Sequence, residues 1–348
     1  MKKIKKIITC TGYHGTGSSL ITDYLKEFDK IDSLGDFEFR FLQDPNGIAD
    51  LEDRLLKNNS RLNSDRAIYE YLRLIKILNS NYTNKFWKKS FYKKVFNNKF
   101  LQYSEEYIQK LIDMEWQGYW HDIEFRNFTL KNRIKNFLIR LISYKYKEIN
   151  KRRRQKMYYS YPVENFYKET KKYLEKLFSE VSTSNILALD QLVPCCNTER
   201  YLNYFEDIKV IIVDRDPRDL YILNKEIWKE DVIPYENIED FIKHFRLLRK
   251  HQKYEQENQK KILRIKFEDT IYDYENTMNK IKKFLEIDNL EHNYPQKYFD
   301  PQKSIYNTQL FNRYLKYQND IKKIENNLKE YCYKFPYDLE NKNIGREY

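Results

Sequence analysis

Lys5-Lys6-Ile7-Ile8-Thr9-Cys10-Thr11-Gly12-Tyr13-His14-Gly15-Thr16-Gly17-Ser18-Ser19 is the stretch that decides the fold. A short apolar, β-branched run leads into a cluster of glycines, and an amphipathic segment carrying Leu20, Ile21, Tyr24, Leu25 and Phe28 follows. That order reads as strand, glycine loop, helix. The chain of 348 residues holds only 7 glycines, so three of them at positions 12, 15 and 17 mark a backbone requirement. Glycine accepts positive φ and close approach, which lets successive amides converge on an anion, and a helix N-terminus adds partial positive charge. The spacing fits the first part of GxxxxGK[ST], but Ser18 stands where the lysine belongs. ATP-cleaving loops use that lysine on the β- and γ-phosphates, so its loss argues against triphosphate chemistry.

The second informative stretch is Val210-Ile211-Ile212-Val213-Asp214-Arg215-Asp216-Pro217-Arg218-Asp219. Its β-branched run suits a strand buried on both faces, and Pro217, lacking an amide proton, forces a turn. Further strand signals lie at 37–41, 185–189 and 262–267, with helices expected over 240–258 and 274–285. Strands alternating with helices argue for a parallel sheet with covered faces. From 51 to 182 the periodicity reads as helical throughout, with Ile134, Phe137, Leu138, Leu141 and Ile142 on one helix face. The expected fold is therefore α/β, a P-loop-type parallel sheet flanked by helices, with a large helical insertion. Residues 1–52 with 184–310 form the expected nucleotide-binding core, 53–183 the insertion, and 311–348 a peripheral helical extension.

Composition narrows the remaining classes. Hydrophobic residues make up 41% of the chain and 32 tyrosines and 21 phenylalanines supply bulk, which a disordered segment lacks. Cys10, Cys195, Cys196 and Cys332 show no paired spacing and read as reduced thiols. The basic opening breaks at Gly12 before it becomes a signal-peptide core, and no apolar run reaches the ~18 residues of a membrane span. A cytoplasmic protein is expected. The formal net charge of +12 is concentrated: 128–156 holds eleven Lys/Arg against Glu148 alone. Such a surface suits nucleic acid, an anionic glycan or anionic lipid.

The loop ending Gly17-Ser18-Ser19, the strand ending Arg-Asp-Pro-Arg-Asp, and Leu263-Arg264-Ile265-Lys266-Phe267-Glu268-Asp269-Thr270 together resemble the P-loop sulfotransferases, notably those acting on glycans in bacteria. The resemblance covers 5–45 and 185–307. It implies 3′-phosphoadenosine 5′-phosphosulfate (PAPS) as co-substrate and no metal. It assigns the 5′-phosphosulfate to His14, Gly15, Thr16, Gly17, Ser18 and Ser19, and the 3′-phosphate to Arg215. Where the family adds a serine this chain has Leu223, leaving Asn224 as the neighbouring candidate, and Lys303 with Ser304 fall where a nucleotide-covering loop is expected. Glu38 is the expected base, with Asp36 as alternative, and its aromatic neighbours favour a raised pKa. Gly15 replaces the loop cation, so a protonated His14 is expected to meet the leaving oxygen.

The insertion is the expected acceptor site, with aromatic rings to stack on sugars and cations to meet acids. A glycan is the expected acceptor, with contact to the inner membrane face through 134–142 and 151–154 as a further expectation, and no nucleic acid as partner. The competing readings are a P-loop kinase or nucleotide hydrolase, with Asp214 as metal-binding acid, and a non-enzymatic nucleic-acid-binding module. The second rests only on the basic middle and accounts for neither motif.

Overall fold

The computed structural model describes residues 4–80, 92–120, 130–142, 151, 154–252 and 258–339, except the side chains of Asp36, Asn132, Asn136 and Arg140. The strands are β1 (Lys6–Gly12), β2 (Ile31–Glu38), β3 (Met114–Gly118), β4 (Gln155–Tyr159), β5 (Ile186–Asp190), β6 (Ile208–Asp214) and β7 (Ile262–Lys266). The chain divides into two compact units, Met1–Leu42 with Ser182–Tyr348, and Gln43–Val181.

The first unit is built on one sheet in the order β2-β5-β1-β6-β7, and every pairing is parallel. Parallel strands need crossovers, and the helices between them cover the sheet. On one face Ile8, Cys10, Ala188, Ile211, Val213 and Ile265 pack against Ser19–Leu25 and Tyr274–Leu285. Val210 and Ile212 on β6 are equally buried although they alternate with Ile211 and Val213, so that strand is covered on both sides. The chain winds from β1 outward to β2, back to β5, and then across to β6 on the far side of β1. This reversal at β1 and β6 opens a crevice at their carboxyl ends, where such sheets bind ligands.

The structure corrects several boundaries. The strand expected at 37–41 begins at Ile31 and ends at Glu38, with a register shift between Ser33 and Glu38. The expected helix at 240–258 is Ile238–Arg249, capped by Asn237 accepting from the Glu239 and Asp240 amides; residues 253–257 lie outside those described. Of the segment after 310, expected to be peripheral, the part up to Leu328 packs into the core. Leu310, Ile321, Ile324 and Leu328 are buried with Leu220, Tyr221, Phe241 and Phe245, because Gln318–Asn327 lays its sparse apolar side against Pro217–Ile222 and Ile238–Arg249.

The second unit is not purely helical either. It holds the helices Arg61–Asn79, Phe100–Gln109, Leu130–Ile142 and Phe166–Phe178, but β3 and β4 form an antiparallel hairpin pairing Met114 with Tyr159. Its core includes the stacked rings of Tyr107 and Tyr173, 4.7 Å apart, with Ser104 and Tyr173 hydroxyls bonded at 2.7 Å.

Candidate functional site

Register places the two motifs side by side. Gly12 lies opposite Val213, so the glycine loop leaves β1 at the level where Asp214 and Arg215 leave β6. Asp214 in turn pairs with Lys266, which brings Phe267 and Glu268 to the same edge.

In the loop His14, Gly15 and Gly17 take positive φ of 54°, 74° and 80°. The Tyr13 amide donates to Thr16 Oγ1 at 3.1 Å, a contact that excludes any side chain at Gly12, whose Cβ would meet that oxygen at 2.1 Å. Among the described residues, nothing accepts from the amides of His14, Gly15, Thr16, Gly17, Ser18 or Ser19. Such a row of donors on a loop of positive-φ residues is a nest for an oxyanion. Ser18 does not cap the following helix; its Oγ accepts from Gln191 Nε2 at 3.0 Å, and Gln191 Oε1 accepts from Thr11 Oγ1 at 3.0 Å. Ser19 is exposed.

Gly17 is a packing requirement as well as a conformational one, since a Cβ there would lie 2.7 Å from the Phe267 ring. Gly17→Ala is expected to destabilise the fold by about 2–4 kcal/mol, summing left-handed strain and overpacking, and to weaken anion binding. Thermal denaturation and phosphate titration check both effects.

Arg215 is 5% exposed, and its guanidinium points back to the loop. Nη1 donates to the Gly15 carbonyl at 3.0 Å, Nη2 donates to the Asn307 carbonyl, and the group lies 4.8 Å from the Phe267 ring centre. Its Nε is buried without a partner among the described residues. The other charges of this string are committed to structure. Asp214 is held by Arg249, whose Nη2 donates at 2.5 Å and Nε at 3.0 Å, and that guanidinium lies between the rings of Tyr13 and Phe245. Asp216 caps the helix Pro217–Ile222 and binds Arg218 at 2.7 Å. Asp219 accepts from the Gln309 and Leu310 amides at 2.8 and 2.6 Å, which fixes the turn after Asn307.

Glu268 is fully buried; Oε1 accepts from the Asp216 amide at 2.9 Å and Oε2 has no partner among the described residues. Burial first, and the nearby Asp216 charge second, push its pKa well above the ordinary carboxylate range. A raised folded pKa contributes stability that is full below the unfolded value of about 4.3 and is lost as pH rises through the raised value. Glu268→Gln keeps the Oε1 acceptor and removes the titration. Denaturation midpoints are expected to fall less between about pH 6 and pH 9 in this variant than in the parent.

The remaining candidates are placed as follows. His14 lies edge-on to Trp228 at 5.4 Å, with Nε2 3.5 Å from Glu230. Burial lowers its pKa against the opposing pull of Glu230 and Glu38, which works against the protonated form expected of it. Glu38 is exposed, 3.8 Å from Arg40, and lies opposite Asp190 in the sheet. The Asp36 side chain lies outside the described residues. Asn224 is fully buried, with Nδ2 donating to the Leu220 carbonyl at 2.9 Å and Oδ1 unpartnered. Lys303 is exposed and Ser304 half-buried on Pro301–Ser304, the segment that leads to Asn307. The structure thus joins the loop, Arg215 and the 301–307 segment.

Sequence reasoning missed Gln191, Phe267 and Arg249. Gln191 follows β5 directly, and the strand-end rule that singled out Arg215 applies equally to it. Among the described residues, no group of three or more His, Cys, Asp or Glu side chains is arranged to hold a metal ion.

No protein-family model matches the chain, and no curated protein sequence matches it. Among solved structures it is similar to retinol dehydratase in complex with androsterone and inactive cofactor PAP, at 12% identity over 97% of this chain and 84% of that one, with a TM-score of 0.35. It is also similar to the sulfotransferase STF9 from Mycobacterium avium, at 13% identity over 98% of this chain and 79% of that one, with a TM-score of 0.39.

Proposed function

We propose that this chain is a sulfotransferase that moves a sulfuryl group from PAPS to an acceptor hydroxyl, on a glycan. The observation that carries the reading is the bond from the Arg215 guanidinium to the Gly15 carbonyl. It unites a lysine-free oxyanion nest with a buried guanidinium whose Nε has no partner among the described residues. A donor phosphorylated at both ends of one ribose suits that pair, with its 5′ end on the His14–Ser19 amides and its 3′-phosphate on Arg215. In the reaction the acceptor oxygen forms a bond to sulfur as the bond from sulfur to the 5′-phosphate oxygen breaks.

This chain's groups have separate tasks. Glu38 takes the acceptor proton; its exposure at the end of β2 leaves it accessible. The loop amides and Ser18 hold charge on the departing phosphate oxygen. His14 meets that oxygen as a proton donor, the anion's charge offsetting the burial that lowers its pKa. His14→Ala is expected to retain donor binding and lose about 10–100-fold in turnover; unchanged turnover removes His14 from this role. Taken by itself, the second unit carries Arg61 4.2 Å over the Trp120 ring, an aromatic and cationic pair of the kind that suits a charged sugar.

The kinase or hydrolase reading is disfavoured by Ser18 at the lysine position and by the Asp214–Arg249 pair, which occupies the acid that reading needs for a metal. Calorimetric titration with adenosine 3′,5′-bisphosphate against ATP with Mg²⁺ separates the two. Preference for the bisphosphate is expected. Preference for ATP overturns the sulfotransferase reading, and binding of neither favours a non-enzymatic role.

A further inference from the structure

The helix Leu130–Ile142 turns its apolar side to solvent. Leu130, Ile134, Phe137, Leu138, Leu141 and Ile142 recur at spacings of three and four, which places them on one stripe, and each is 49–73% exposed. Among the described residues no other helix exposes so many large apolar side chains. Helices elsewhere in this unit bury such residues: Phe100 and Ile108 of Phe100–Gln109 and Phe166, Leu174 and Leu177 of Phe166–Phe178 are at most 1% exposed. An apolar stripe of this size in water calls for a cover.

The charges around the stripe say which. At 100° per residue, Lys135 flanks one edge of it and Arg133 the other, with Lys131 between Leu138 and Ile142 near the first edge, and all three are exposed. The surrounding sequence, 128–156, adds to these for eleven cations against one acid. A second copy of this chain would bring two cationic rims together, whereas an anionic lipid surface neutralises the rim while its acyl region takes the stripe. At 13 residues the helix is well short of the ~20 needed to cross a bilayer, and no described helix is long and apolar enough to do so. We propose that Leu130–Ile142 is an interfacial anchor that lies flat in an anionic membrane surface, apolar stripe inward and cations at the headgroups. This holds whichever donor the glycine loop takes.

The test is sedimentation of the purified full chain with phosphatidylcholine vesicles and with vesicles containing about one-third phosphatidylglycerol. Binding to the anionic vesicles alone, weakening with added salt, is expected. Phe137→Glu with Leu141→Glu should cut it at least about tenfold without lowering the melting temperature, because both side chains are already in water. Three outcomes overturn the proposal: no sedimentation with anionic vesicles, equal sedimentation with neutral ones, or binding that survives the double substitution. A dimer that the double substitution dissolves, seen without vesicle binding, gives the face to a second copy instead.

Discussion

Arg215→Ala is expected to weaken binding of adenosine 3′,5′-bisphosphate by about a hundredfold or more while the protein stays folded. The side chain is buried, so its charge is poorly screened, and truncating a desolvated, hydrogen-bonded charge at an interface costs about 2–5 kcal/mol. Part of the change falls on stability: the Gly15 and Asn307 carbonyls lose their donor, worth about 1–3 kcal/mol where water does not replace it. Melting temperature and calorimetric affinity separate the two. Arg215→Lys restores charge but not the planar fork, so it should recover stability better than affinity. An alanine variant that binds the bisphosphate as the parent does would remove Arg215 from the ligand altogether.

The largest expected loss of stability comes from Arg249→Ala. Asp214 is 7% exposed and receives Nε and Nη2 of Arg249, so the substitution leaves a buried carboxylate without its cation. Breaking such a pair from one side costs about 3–5 kcal/mol, a large share of the 5–15 kcal/mol that holds most domains folded. It also empties the place between the Tyr13 and Phe245 rings, at the base of the glycine loop. Pairing Arg249→Met with Asp214→Asn should return much of the loss, because neither charge is then stranded. Chemical denaturation of the single and the double variant against the parent gives the answer. A loss under about 1 kcal/mol for Arg249→Ala would mean that Asp214 is not committed to Arg249, and the metal-binding reading of Asp214 would regain its footing.

How much of this was legible in the chain depends on how local the determinants are. β1 and β6 can be read because each is a β-branched run ending in glycine or charge, and β7 because Ile262, Leu263 and Ile265 lead into an acidic turn. β2 was placed too late because Ile31–Glu38 is an edge strand without an apolar run, held by β5 through an irregular register with Gly35 at a φ of 63°. The β3–β4 hairpin escaped for a different reason: its strands lie far apart in sequence, and Met114 and Glu115 are exposed, so no alternation marks β3. The same distance hid the partners within the site. Nothing near Asp214 announces Arg249, nothing near Ser18 announces Gln191, and the burial that lowers the His14 pKa comes from tertiary packing. Local pattern identified which segments carry chemistry, while the sheet order decided what each charge is paired with.

The most direct measurement is a crystal structure of the chain with adenosine 3′,5′-bisphosphate. One nucleotide is expected at the carboxyl ends of β1 and β6, its 5′-phosphate on the amides of His14 to Ser19 and its 3′-phosphate on Arg215. A nucleotide seated elsewhere, or one that reaches the loop while its 3′-phosphate stands in solvent away from Arg215, would contradict it.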